Sequence, residues 1–333
     1  MSGNGTYGNL VLNDAFGASL SGSPTVSGTL TLNSTGAFAV GANTLTLNGP
    51  TIAGTPANLS TTSSSNLVFG GSSAGVLVPS SVGPLNNLTI NNTNGVGLSG
   101  SPTLSGTLTL TSGSFSVGAN TLTLNGPAIA GTSSNLSTTA SSSLAFGGSA
   151  SSVFVPSSVT ALNNLTLNNS NGLTLNSSPT VSNTLTLTAG AINAGSNTLI
   201  TSGDCTSKVV RTSGYVIGRL RLAFVTGSPK TCTFPLGDAN AYAPVTLAFA
   251  SVTGAGNITG RTVSGEHPDV ASSAIDSAQD VNRHWVLLNG GVGFTNYDAT
   301  LVYASGSPVD LDSGVVATNF FVGKADADRK SVV

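Results

Sequence analysis

The chain has 333 residues, of which 39% are hydrophobic and only 7% charged, with 42 glycines and a formal net charge of -2. A charged fraction of about 25% is usual for globular proteins, so Ser, Thr, Asn and Gly carry the solvent contact here. With no basic run there is no electrostatic footprint for nucleic acid or for an acidic membrane surface, and no apolar run approaches the roughly 20 residues that cross a bilayer as a helix.

The charges are also unevenly placed. Asp14 is the only Asp, Glu, Lys or Arg before Asp204, while His267, His284, Cys205, Cys232 and Trp285 all lie beyond residue 203. This predicts two domains, 1–203 and 204–333. Met1 is followed by SGNGTYGN, which has neither the basic start nor the apolar stretch of a signal peptide.

The first domain repeats itself. LSGSPTVSGTLTL at 20–32 returns as LSGSPTLSGTLTL at 98–110 and as LNSSPTVSNTLTL at 175–187. GNLVLND, NNLTINN and NNLTLNN follow the same spacing from positions 8, 86 and 163, and GANTLTLNGP occurs at 41–50 and 118–127. Within each copy, short alternating segments such as Thr29-Leu30-Thr31-Leu32 and Thr44-Leu45-Thr46-Leu47 are separated by Gly, Asn, Ser and Pro. A strand's period of two puts these leucines on one side and the threonines on the other.

Such a strand buries its apolar face only by stacking on a neighbour. The reading is therefore a β-solenoid of 77–78-residue repeats, with coils of about 20 to 26 residues and roughly three coils per repeat. A hairpin sandwich competes, but it does not account for so long a period. Asn86-Asn87 and Asn91-Asn92 are expected to form side-chain ladders between coils. The solenoid begins in mid-pattern, so Gly8, Asn9, Leu10, Val11 and Leu12 are the expected self-association edge, pairing with a coil either of another subunit or of a longer parent chain.

From Asp204 the texture changes to longer strands with charged and aromatic residues: KVVRTSGYVIGRLRLAF, TCTFPLGDANAYAPVTLAF and VNRHWVLLNGGVGFTNYDATLVYAS. These predict an all-β domain of sandwich type that caps the solenoid, with Trp285, Tyr303, Phe249 and Phe320 as core candidates. Cys205 and Cys232 flank GRLRLAF and are expected to form a disulfide. Two isolated cysteines without a CxxC pair or paired histidines make a poor metal site.

Several candidate sites compete with plainer roles. Asp310 with Asp312, or Asp326 with Asp328, offers paired carboxylates to calcium, but no EF-hand-type loop surrounds them and loop solvation is favoured. His267 lies near Glu266 and Asp269, and His284 beside Arg283 and Trp285, yet no GxSxG elbow or comparable nucleophile motif is present. Tyr242, Trp285 and Tyr297 are candidates for a glycan-stacking platform. The outward threonines invite an ice-binding reading, although Thr is favoured on any solvated strand. Asn87, Asn91, Asn164 and Asn168 sit in Asn-x-Ser/Thr triplets and are read as turn asparagines. No metal, cofactor, catalytic residue or nucleic-acid partner is expected.

The blocks LNNLTLNNSNG and GANTLTLNG, with GYVIGRLRLAF, FPLGDANAYAPVTLAF and NRHWVLLNGGVGFTNYDATLVY in the second domain, resemble repeats and their following module in very large secreted surface proteins of Bacteroidota and related bacteria. The resemblance implies an extracellular, non-catalytic role as an adhesin-like stalk or a self-assembling fibre, often exported by the type IX route. The sequence departs from that pattern in ending at DADRKSVV with no recognisable sorting domain. A carbohydrate-binding surface module is the alternative.

Overall fold

The computed structural model describes residues 3–33, 35–273, 275–306, 310–315, 320 and 322–324. Two compact units emerge, Met1–Gly203 with Ser207–Gly214, and Asp204–Thr206 with Tyr215–Val333. Residues 207–214 thus return to the first unit, where Val209–Arg211 pairs in parallel with residues 185–187.

The first unit is a β-solenoid of parallel coils with three faces. One face stacks Thr25–Val26, Thr44–Leu47, Asn66–Phe69, Asn87–Asn91, Leu108–Ser112 and Ala130–Gly131. A second carries Val76–Val78, Val96–Leu98, Phe115–Ser116 and Leu136–Ser137, and a third Pro84–Leu85, Thr103–Leu104, Thr121–Leu124 and Ser143–Phe146. The alternation behaves as the strand period demands. Leu30, Leu32, Leu45 and Leu47 are all at most 5% exposed, while Thr31, Thr44 and Thr46 are half-buried on the outer side. The interior is filled by leucine, valine and isoleucine with Phe38, Phe69, Phe115 and Phe146, each about 1% exposed or less.

The register fixes the coil. Thr25 pairs with Thr46, Thr46 with Val68, Val68 with Thr89, Thr89 with Thr109, and Thr109 with Ala130. Four coils of that length overrun one repeat by about a third of a coil, which is one face of the three. The expectation of roughly three coils per repeat is corrected to nearly four. Its consequence is a precession: Thr44–Leu47 lies in the first face, and its copy Thr121–Leu124 lies in the third. Equivalent blocks therefore occupy neighbouring faces, and what stacks on a strand is a different block of the repeat.

Asparagines join the coils, as the ladder reading expected for Asn86 and Asn87. Asn66 Oδ1 accepts from Asn86 Nδ2 at 3.2 Å and from Asn87 Nδ2 at 2.8 Å. Asn164 Oδ1 accepts from Asn183 Nδ2 at 3.0 Å and from the Thr184 amide at 3.1 Å. Asn87, Asn91, Asn164 and Asn168, expected at turns, all belong to strands, Asn87–Asn91 and Ala161–Asn168, with Asn164 in a strand interior and the other three at strand ends.

The second unit is built from antiparallel sheets. Tyr215–Phe224, Gly256–Ser264 and Arg283–Gly290 form one succession; Lys230–Phe234, Val245–Phe249 and Tyr297–Leu301 form the other. In YVIGRLRLAF the buried side chains are Val216, Leu220, Leu222 and Phe224. Phe224 stands edge-on to Phe249 at 5.5 Å and 6.4 Å from Phe234, so phenylalanines from both sheets meet in the core. Of the predicted core aromatics only Phe249 is fully buried; Trp285, Tyr303 and Phe320 are half-buried, and Tyr303 meets Phe320 ring to ring at 6.0 Å. Cys205 and Cys232 form the expected disulfide, with Cα atoms 5.7 Å apart. Beside it, buried Lys230 places Nζ 2.5 Å from Asp204 Oδ2.

Candidate functional site

The outer side of the first solenoid face forms a shallow trough. It is lined by Thr44, Asn66, Val68, Asn86, Asn87, Thr89, Thr107 and Thr109, with Leu67 below, and encloses about 430 Å³. Neighbouring coils bring these side chains into rows whose members are about 4.8 Å apart. One row reads Thr44, Asn66, Asn87; the next reads Thr46, Val68, Thr89, Thr109. Amide groups in the trough are held by the Asn66–Asn86–Asn87 contacts, which leaves hydroxyls and one valine as its free chemistry. No charged group lies in it, and the threonine rows are interrupted by Val68 and two asparagines.

The expected self-association edge is an edge strand. Leu10–Leu12 pairs with Leu30–Leu32 on one side, and among the described residues no strand pairs with its other side. Val11 is 53% exposed and Phe16 is 99% exposed.

In the second unit Tyr297 is placed apart from the other two aromatic candidates, Tyr242 and Trp285. Tyr242 packs against Tyr215 at 5.9 Å. Trp285 Nε1 donates to Ala243 O at 3.0 Å, near the start of Val245–Phe249. Tyr297 is paired with Phe249 at the far end of that five-residue strand, roughly 14 Å away at strand rise. What does accompany Tyr297 is Phe294, at 5.3 Å and edge to face, and these two rings are 40% and 36% exposed. The sequence carries no sign of that pairing, because the turn between the two residues sets it.

Among the described residues Glu266, Asp280 and Asp312 bring carboxylate oxygens within 4.8 Å of one another. Asp312 Oδ2 accepts from the Asp280 amide at 3.0 Å and Oδ1 from Asn282 Nδ2 at 2.7 Å. Burial, and then the charges of Asp280 and Asp312, raise the Glu266 carboxyl above its ordinary value. Asp280 is raised by burial first and by Asp312 next. Hard oxygen donors of this kind suit calcium, which takes six to eight oxygens; the trio supplies three residues. Sequence spacing hides such a group, since its members come from three separate segments of the chain.

Asp310 and Asp312, weighed as a calcium pair but expected to serve loop solvation, are divided between two jobs. Asp310 is bound to Arg283, at 2.6 Å from Nε and 3.0 Å from Nη2. Asp326 and Asp328 lie outside the described residues. The His267 and His284 rings meet at 5.0 Å, edge to face. His284 Nδ1 faces Gly265 O at 3.2 Å, and His267 Nδ1 accepts from the Asp269 amide at 3.2 Å. Burial chiefly, with the charges of His267, Arg261 and Arg283, lowers His284 below the usual imidazole value and favours its neutral form. Asp204, Cys205 and Cys232 also cluster, but both sulfurs are used by the disulfide.

Among the described residues no helix is long and apolar enough to cross a membrane. The chain matches no protein-family model, no curated protein and no solved structure.

Proposed function

We propose that the chain is a non-catalytic structural element of an extracellular bacterial surface, with the solenoid as an adhesin-like stalk and the antiparallel unit as the module it presents. The observation that carries this reading is the solenoid itself: an apolar interior running coil after coil, under an outer surface that has one charged residue in its first 203 positions. Such a surface offers no carboxylate pair, general base or cation cluster for chemistry, while stacked coils resist bending because every inner strand is bonded on both sides. The disulfide fits an oxidising compartment. Immunogold electron microscopy of intact producing cells tests the reading. Label at the cell surface supports it, and label confined to the cell interior ends it.

The trough favours a second reading, a carbohydrate-binding surface module. Uncharged hydroxyl groups in the trough match a neutral polysaccharide better than an acidic one, and in the second unit the exposed Phe294 and Tyr297 rings offer a separate stacking surface. Glycan-array screening of the whole chain separates the two, since a pure stalk gives no saturable binding. A self-assembling fibre is a third form of the structural reading, and it depends on the edge of Leu10–Leu12 that no strand among the described residues pairs.

A further inference from the structure

The internal repeat lets one of its turns be compared in three copies, each at a different level and, because of the precession, at a different corner of the solenoid. The turns at 14–17, 92–95 and 169–172 are equivalent in the repeat and share one backbone conformation. Gly17, Gly95 and Gly172 have φ of 84°, 82° and 81°. Their amides bond to the carbonyls of Asp14, Asn92 and Asn169 at 3.1, 2.8 and 2.9 Å. In each turn the first side chain accepts from the amide two residues on: Asp14 Oδ1 from Phe16, Asn92 Oδ1 from Asn94, and Asn169 Oδ1 from Asn171, at 2.9, 3.0 and 3.0 Å.

The donors differ. Asn92 Nδ2 and Asn94 Nδ2 reach back one coil to Ser73 O at 3.0 Å and Ser72 O at 2.6 Å. Asn169 Nδ2 and Asn171 Nδ2 do the same to Ala150 O at 2.8 Å and Ser149 O at 2.6 Å. These are paired amide clasps between one coil and the coil before it. At the first level both positions are occupied by residues without a side-chain N–H, Asp14 and Phe16. The turn and its acceptor are retained; the two donors are gone.

We propose that Asp14 and Phe16 form a stop that prevents a second copy of this chain from adding a coil, in solenoid register, to the edge of Leu10–Leu12. An added coil would present carbonyls where Ser72, Ser73, Ser149 and Ala150 stand in the later copies. The Asp14 carboxylate, itself an acceptor, would face them. It would also be buried, as Asn92 and Asn169 are at 0% exposure, and an unpaired buried charge is strongly unfavourable. Among the described residues no countercharge is at hand. The other charged side chains of the solenoid unit are Lys208 and Arg211, which bond to the carbonyls of Ser182, Gly214 and Ser213. A charge at a strand edge is a device by which sheets avoid edge-to-edge pairing.

The inference goes beyond the stalk reading and separates it from the fibre reading. Its test compares the full chain with the Asp14→Asn/Phe16→Asn variant by sedimentation velocity and negative-stain electron microscopy across a concentration series. Thermal melts confirm that both fold, and Asp14→Ser, which removes the charge without supplying an amide, shows how much the charge alone contributes. The double variant should associate end to end at a concentration at least tenfold lower than the parent. The inference is overturned if parent and double variant behave alike, whether both associate or neither does.

Discussion

Arg283 and Asp310 form a two-pronged ion pair in the second unit, Nε to Oδ2 at 2.6 Å and Nη2 to Oδ1 at 3.0 Å, with side-chain exposures of 1% and 4% for the contact. Asp238 Oδ2 lies 2.7 Å from Nη2 of the same guanidinium, and Thr262 Oγ1 accepts from Nη1 at 3.2 Å. One arginine on the strand Arg283–Gly290 thereby ties together a loop, a neighbouring strand and the segment containing Asp310. Arg283→Ala leaves two carboxylates without their cation and should destabilise the second unit by roughly 3–5 kcal/mol. Trp285, the only tryptophan and close by on the same strand, reports the unfolding by fluorescence in urea. A loss under about 1 kcal/mol would show that the pair is not what anchors that segment.

The disulfide closes a separation of 27 residues, for which chain entropy predicts about 3.5 kcal/mol. Replacing both Cys205 and Cys232 by Ser should lower the denaturation midpoint of the second unit and leave that of the solenoid in place. Calorimetry of the full chain resolves this, provided that two transitions are seen in the parent.

Acid should affect the second unit in two opposing ways. Glu266 and Asp280 are raised in the folded state, so their contribution is fully present below the ordinary carboxylate range near 4 and is lost as pH rises through their raised values. Asp238 behaves oppositely. Burial disfavours its charge, but bonds from the Asn240 amide, Arg283 and the Ala241 amide outweigh it and lower the carboxyl; that contribution is present above the ordinary range and is lost as pH falls. Glu266→Gln should therefore raise the melting temperature at pH 7 more than at pH 4. An equal change at both values would contradict the shared charge of the Glu266, Asp280 and Asp312 group.

Asn92→Asp transfers the first-level residue to a level where a coil lies above it. The Ser73 bond is lost and a carboxylate is placed at a site of 0% exposure, with an expected destabilisation of roughly 3 kcal/mol. Asp14→Asn, at an exposed site, should change monomer stability by less than about 0.5 kcal/mol. Chemical denaturation followed by circular dichroism compares the two, and equal effects would refute the distinction between the levels.

Inside the solenoid, Phe115→Ala removes a ring of 0% exposure from the second face and should lower stability by about 3–5 kcal/mol. Because coils contact only their neighbours, hydrogen exchange should accelerate first in Val96–Leu98 and Leu136–Ser137, the strands nearest it on that face. Uniform acceleration along the whole unit would point instead to a single cooperative core.

The sequence by itself determined the strands, their inward leucines and outward threonines, the repeat, and the pairing of the only two cysteines. All of these depend on local period, on copy number or on elimination, which a linear chain displays directly. Tertiary structure alone decided the rest. That Thr44–Leu47 and its copy Thr121–Leu124 sit on different faces follows from a coil that does not divide the repeat evenly, its length set by how strands stack and not by how the gene repeats. Asp238, Thr262, Arg283 and Asp310 become one network only when separate segments meet, and Glu266 joins Asp280 and Asp312 for the same reason. The difference between Asp14 and Asn92 is visible as one letter in an alignment of the repeats. Its meaning depends on which carbonyl lies one coil away, and that is a fact of packing.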